Sequence, residues 1–453
     1  MDLYETRIGR LELFADGEVL EKINGGAALK MHPPVLKEIT LSAGEKPWEW
    51  QFGYPSVIPD GKDGYFLYYR GMGTSRDTSS DTYEQSVVCI CHSPDGINFT
   101  RMNIGIFPFE SSYENNIVYP GDDTGIAHNF MPFYDTNPNC LTAERFKAVG
   151  GLYEKGLFAL ASEDGIHWRL LSDTPIFTQG IFDSANVAFY DSVLGKYRMY
   201  SRYWTNGFFA GFRAVQSCVS DDFRRWSNPV PNDYGEEVTE HFYTNAAHPC
   251  PEAEYILLSF PKRFNESRKR ILNHEHEGIS DTVFMTSRDG VKWTRLFKEA
   301  WLRPGLDDAN WTDRNMMIGP STAMTPDGNF ALYFTEHNWA EDNRIRRAVI
   351  RKHGFVSLSA GWEPGFGVTK PFIYEGGNLR LNYSTSAAGH VKAWLIDADA
   401  GITFNVPENA AELYGDSLDE IYPMETEQEL IGKPVRLYFQ LKDADLYTYK
   451  FIK

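Results

Sequence analysis

The sequence predicts an all-β protein, a five-bladed β-propeller followed by a C-terminal β-sandwich. Three observations carry this reading: a strand-turn-strand signature occurs four times, paired alternating runs stand before each copy, and the signature stops after Gly361. The copies are HSPDGINFTR from His92, ASEDGIHWRL from Ala161, VSDDFRRWSN from Val219 and TSRDGVKWTR from Thr286. Their period is about 60 residues, as in repeat architectures. The Asp-Gly or Asp-Asp pair makes a tight turn that tolerates positive φ, and the aromatic that follows returns to the core on the next strand.

Residues 1–45 form an N-terminal segment whose strand LKEITLSAG either joins the sandwich or closes the propeller ring. Residues 46–360 hold the propeller. YPSVI with GYFLYYRG, AHNFMPFYD with RFKAVGG, NVAFYD with KYRMYSRYW, and NAAHPC with EYILLSFPKRF each supply two alternating strands before a signature copy, making four strands per unit. A fifth unit runs from NWTDRNMMIGPSTAMT through GNFALYFTEHNW to RIRRAVIRKHGFVSL. A pair of ordinary sandwiches would not carry a turn at this period. Residues 361–453 alternate without the signature and read as the sandwich.

Composition narrows the function. The 453 residues are 42% hydrophobic and 15% aromatic, against the balance that disorder needs. With 44 Lys+Arg against 62 Asp+Glu the net charge is −18, which repels nucleic-acid backbones and anionic membrane surfaces and favours small sugar-like ligands. MDLYETRIGRLELF has no charged-then-apolar leader, and no 18-residue apolar run follows, so a cytoplasmic protein is expected. Cys89, Cys91, Cys140, Cys218 and Cys250 lack CxxC spacing and read as reduced thiols. The phosphate-loop, dinucleotide, HExxH and GxSxG motifs are absent. NHEHEG, from Asn273 to Gly278 with its histidines at His274 and His276, reads as a solvated loop rather than a metal site.

In a propeller, the starts of the first strands and the ends of the second strands meet on one face of the disc. The starts offer Glu49, His128, Asn129, Asp183, Asn186, Tyr243, Asn245, Asp313, Arg314 and Asn315. The ends offer Arg70, Lys147, Arg202, Lys262, Arg263, Glu336 and His337. Glycosidic cleavage needs one carboxylic acid as proton donor and one carboxylate as nucleophile or base, so Glu49, Asp183, Asp313 and Glu336 are the candidate catalytic residues. The basic ring of Arg70, Lys147, Arg202 and Arg263 suits an anionic group on the substrate, although rim arginines often do no more than pair with neighbouring acids.

Five blades with S-x-D-G-x-x-W turns, acids at inner-strand starts and a C-terminal sandwich resemble the furanosidase-type glycoside hydrolases of families 32 and 43. PWEWQFGYP, HNFMPFYDTNP, FDSANVAFYD, YTNAAHP, NWTDRN, YFTEH, LNYSTSAAG and LKDADLY resemble an uncharacterised bacterial group labelled family-32-like. The resemblance implies a first-blade acid at Glu49 and a third-blade acid at Asp183. The chain departs from it in lacking WxNDPNG in blade one and in offering His128 and Asn129 where blade two should carry an Asp.

The expected function is therefore a glycoside hydrolase, exo-acting on a furanoside or another small glycoside. Two alternatives stand beside it: an inverting glycoside phosphorylase, and a non-catalytic carbohydrate-binding propeller. No cofactor follows from the residues. A structural cation in the central channel and a homo-oligomer are both compatible with them.

Overall fold

The computed structural model describes residues 2–73, 86–274, 276–424 and 427–453. The chain is all-β. Among the described residues, helical structure is limited to three-residue 3-10 turns such as Ile126–His128 and Asp308–Asn310. It forms two compact units, one of residues 34–349 and one of residues 1–33 with 350–453.

The larger unit contains five groups of antiparallel strands. The first sheet runs Gln51–Pro59, Tyr65–Met72, Ser86–Ser93, Thr100–Arg101. The second runs Met131–Tyr134, Phe146–Leu152, Gly156–Ser162, Arg169–Leu170, and the third Val187–Asp191, Lys196–Trp204, Arg213–Ser220, Val230–Pro231. In the fourth group His248–Pro249, Leu257–Ser259, Met285–Ser287 and Trp293–Thr294 make one sheet, and His241–Phe242, Lys262–Asn265 and Ile279–Thr282 another. Pro261 stands at the break between Leu257–Ser259 and Lys262–Asn265, where a residue without an N–H interrupts the ladder. In the fifth, Met317–Ile318 and Ala323–Met324 both pair with Asn329–Glu336, followed by Arg344–Arg351 and then Val35–Ser42.

The turn signature has a local chemical cause. Asp95, Asp164, Asp222 and Asp289 each accept, on one carboxylate oxygen, the backbone N–H groups two and three residues ahead, at 2.7–2.9 Å. The serine two residues before each Asp donates to the same oxygen. Three of these turns are also latched from another sheet. Tyr68 of the first sheet donates to Gly165 O in the second-sheet turn at 2.5 Å, Tyr200 of the third to Gly290 O in the fourth at 2.8 Å, and Tyr333 of the fifth to Gly96 O in the first. Val57, Met131, Val187, His248 and Met324, one from an early strand of each group, line a single cavity of about 380 Å³.

The N-terminal segment does not act as one piece. Leu20–Met31 pairs with Val356–Thr369 in the smaller unit, whereas Val35–Ser42 pairs with Arg344–Arg351 in the larger. Pro33 and Pro34 lie between them and can extend neither ladder. Among the described residues the smaller unit is a single hydrogen-bonded sheet of seven strands, not two separate ones, with central order Leu20–Met31, Val356–Thr369, Pro434–Ile452, Asn378–Asp397, Asp416–Ile421. Register shifts at Ala360/Gly365 and Thr385/His390 bend its long strands over a core that includes Phe14, Leu358, Leu381, Phe439 and Tyr449.

Candidate active site

Residues from all five strand groups close a polar circuit in the larger unit. Arg202, near the end of Lys196–Trp204, is 3% exposed and pairs with Asp183. Its guanidinium also lies 5.1 Å from the centroid of the Tyr243 ring. Arg213 approaches the same ring at 5.1 Å, and Lys262 Nζ at 4.1 Å. The Lys262 ammonium is disfavoured by burial and by the charge of Arg314, and is favoured by Asp313, which pairs with Arg314 at 3.1 Å. Arg314 and Arg70 both act on His128, and Arg70 stacks 5.1 Å from the Tyr54 ring centroid. Tyr54 in turn feels Tyr243, Asp183 and Arg202, which completes the circuit.

Local backbone devices aim these groups. A register shift between Gly53 and Ser56 interrupts the first sheet's ladder, and within it Tyr54 holds φ 51°, in the left-handed region. Such a bulge redirects one side chain without ending the strand. Arg314 has φ 60° and Ala246 φ 46°. Backbone held in this region by non-glycine residues is characteristic of functional sites.

Three predicted asparagines brace the loops that present the charged groups. Asn129 donates to Gly151 O at 2.7 Å and to Phe182 O, and accepts Gly151 N–H at 3.0 Å. Asn186 donates to Phe182 O and Ser184 O, both at 2.8 Å, and so holds the turn around Asp183. Asn315 donates to Thr312 Oγ1 at 2.6 Å and accepts Asn338 N–H at 2.8 Å, which fixes the loop carrying Asp313. Asn245 is also committed, to Ala185 O and Ala247 N–H.

The other predicted residues point elsewhere. Glu49 is fully buried, accepts from Tyr69 Oη at 2.5 Å, and takes Arg101 Nε and Nη2 at 3.0 and 2.7 Å. Glu336 binds Arg344 and Arg346 of the neighbouring strand at 2.7 and 2.8 Å. Arg263 is held by Asp281 at 2.6 Å and Glu240 at 3.1 Å. Arg263 lies one position out of phase with Lys262, and a one-residue step in a strand turns the side chain to the opposite face. Lys147 stands at the start of Phe146–Leu152, not its end, and donates to Asp135 Oδ2 at 2.5 Å and Glu144 O at 2.9 Å. His337 is clasped between Asp307 and Asp342, each at 2.8 Å.

Tyr54 and Arg213 join the cluster without having been predicted. Tyr54 depends on a bulge that no spacing rule reveals. Arg213 does leave a signal, since it opens Arg213–Ser220 directly opposite Trp204, two residues beyond Arg202. Its guanidinium lies 4.4 Å from the Trp204 ring centroid. In the 274–278 loop, His274 Nδ1 accepts His276 N–H at 3.2 Å, while Glu275 lies outside the described residues. Among the described residues no three His, Cys, Asp or Glu side chains gather as a metal site, and no helix is long and apolar enough to cross a membrane.

No family model matches the chain, and no curated protein matches it. Among solved structures, it is similar to an N-acetylgalactosamine deacetylase from F. plautii in complex with blood group B trisaccharide, at 14% identity and TM-score 0.46, covering 71% of this chain and 95% of that one. A glycosyl hydrolase from Bacteroides ovatus matches at 14% identity and TM-score 0.46, covering 71% and 94%. A structure from the GH130 family of mannoside phosphorylases, described as containing glycoside hydrolases that target β-1,2-mannosidic linkages in Candida mannan, matches at 12% identity and TM-score 0.46, covering 71% and 94%.

Proposed function

We propose that this chain is a glycoside hydrolase, exo-acting on a furanoside or another small glycoside, built on a five-bladed β-propeller. The propeller reading is supported by the cavity common to all five strand groups and by the Tyr333–Gly96 latch, which ties the fifth sheet to the first. The chemistry is supported by one observation above all. Asp183 and Asp313, from segments preceding different sheets, belong to one closed circuit, and among the described residues Asp313 Oδ1 is buried with no hydrogen-bond partner.

Glycosidic cleavage needs two carboxyl groups in different roles. Asp183 accepts a charge-assisted hydrogen bond from Arg202, which suits the carboxylate that acts as base or nucleophile. Asp313 Oδ1 has no hydrogen-bond partner among the described residues, which leaves one carboxyl oxygen to meet a substrate. Tyr54, Tyr243 and Trp339 seat the cations Arg70, Lys262 and Arg314, which suit the hydroxyl or anionic groups of a sugar. The five cysteines are free, in keeping with a reducing compartment.

Three cations around Tyr243, Arg202, Arg213 and Lys262, favour a second reading, an inverting phosphorylase with inorganic phosphate as the nucleophile. A screen of nitrophenyl furanosides, pyranosides and uronides, with and without phosphate, tests both. Turnover that drops by about a thousandfold or more in Asp183→Asn and Asp313→Asn supports paired carboxylates. Dependence on phosphate selects the phosphorylase. Undiminished turnover in either variant overturns the assignment.

A further inference from the structure

Lys262 is 1% exposed, yet among the described residues no carboxylate lies within salt-bridge distance of its ammonium, which stands 4.1 Å from the centroid of the Tyr243 ring. A buried ammonium without a counter-charge is costly, and folded proteins keep one only where something else compensates it. It is not alone. Among the described residues Arg202 Nε and Arg213 Nε are buried with no hydrogen-bond partner, although both guanidinium groups converge on the same tyrosine ring. The carboxylates close by are committed: Asp183 to Arg202, Asp313 to Arg314, and the rim residue Glu266, 62% exposed, stands 3.8 Å from Arg213 Nη1. Around Tyr243, among the described residues, Arg202, Arg213 and Lys262 therefore face two paired carboxylates, Asp183 and the solvent-exposed Glu266. The positive charge is concentrated on one wall, where Lys262, Arg202 and Arg213 surround Tyr243.

We infer that this wall is a subsite for an oxyanion, a carboxylate, sulfate or phosphate group, which supplies the counter-charge that Lys262 and the two bare guanidinium nitrogens lack. Guanidinium groups bind such anions through paired N–H donors, and an ammonium adds a point charge. The sequence suggested a basic ring of Arg70, Lys147, Arg202 and Arg263. The structure withdraws Lys147 and Arg263, which are already paired, and puts Lys262 and Arg213 in the wall instead. The identification of the anion as part of a substrate rests on the glycoside-cleaving reading of the same cluster; the subsite itself does not.

Calorimetric titration of the full-length protein tests it, with glucuronate, galacturonate, inorganic phosphate and sulfate as probes and glucose and galactose as neutral controls. The anions should bind at least about tenfold tighter than the neutral sugars. Lys262→Met should lose about tenfold or more, and Lys262→Arg should retain most of the affinity. Without a probe, Lys262→Met should melt no lower than wild type, because it removes an uncompensated buried charge, so lost binding would not be misread as lost folding. Uronates binding above inorganic phosphate identifies an anion carried by the sugar, and the reverse order identifies free phosphate. Equal affinity for neutral and anionic sugars, unchanged anion affinity in folded Lys262→Met, or no anion binding up to about 10 mM overturns the inference. Anion binding without any glycoside turnover would sink the hydrolase and leave the subsite standing. Turnover of neutral glycosides without anion binding would do the opposite.

Discussion

Arg70 Nη1 lies 2.9 Å from His128 Nδ1, a contact that a protonated imidazole has no lone pair to accept. Burial, then the charges of Arg70 and Arg314, push the His128 imidazole well below its ordinary value. The unfolded chain therefore takes up a proton near pH 6.5 that the folded chain refuses, and stability falls as pH drops below that point while staying flat above it. His248, pushed down to about 4 by burial, adds to the same slope. Urea unfolding between about pH 5 and pH 8 should show the decline, and His128→Gln should reduce it by up to about 1.4 kcal/mol per pH unit. An unchanged slope would mean that His128 is protonated in the folded state.

Gly53 makes room for that Arg70 guanidinium. A methyl group at this glycine would sit 2.9 Å from Arg70 Nη2 and 3.0 Å from its Nε. The group in the way is the end of a flexible side chain, so Gly53→Ala should cost little stability, about 1 kcal/mol or less. It should displace Arg70 from Tyr54 and His128 and raise KM or ligand Kd by roughly tenfold. Steady-state kinetics beside a melting curve separate the two effects. A large drop in Tm with unchanged KM would show that Gly53 serves the fold only.

Glu49 offers the reverse case. It is bound by Arg101 and Tyr69 with no exposed surface, and removing one partner from a buried ion pair typically costs about 3–5 kcal/mol. Glu49→Gln should lower the melting temperature sharply while leaving kcat of the surviving folded protein within about twofold. A collapse of kcat at unchanged Tm would return Glu49 to the catalytic set.

These contrasts show which features a sequence can carry. The S-x-D-G turns are legible because their cause is local: one carboxylate satisfies two nearby N–H groups. Asp183, Arg202, Asp313, Arg314, Tyr243, His128 and Arg70 are legible because strand starts and ends are marked by those turns. Arg263 is misread because alternation fixes a face only when the strand's phase is known, and at a strand end an error of one residue inverts it. Lys147 fails for a related reason. Phe146–Leu152 runs on through Gly150 and Gly151, so the strand end lies beyond the last charged residue. Tyr54 is invisible because the bulge that aims it leaves no periodic trace.

Lys262 provides the remaining prediction. Burial first, then the charges of Arg314, Arg202 and Arg213, hold its ammonium well below the ordinary lysine value, and Asp313 alone opposes them. The lysine therefore sheds its proton more readily in the unliganded fold than in the unfolded chain. Below the unfolded value this lowers stability, and raising the pH towards that value relieves the cost. An oxyanion seated beside Lys262 reverses the balance by favouring the charged form, so binding should take up protons and weaken as pH rises. Calorimetry in two buffers of different ionisation enthalpy, repeated across a pH series, should show net proton uptake on binding, up to about one proton. Lys262→Met should abolish it. Uptake that stays at zero over the whole range would mean that the anion does not contact Lys262, and uptake that persists in the variant would place the proton on another group.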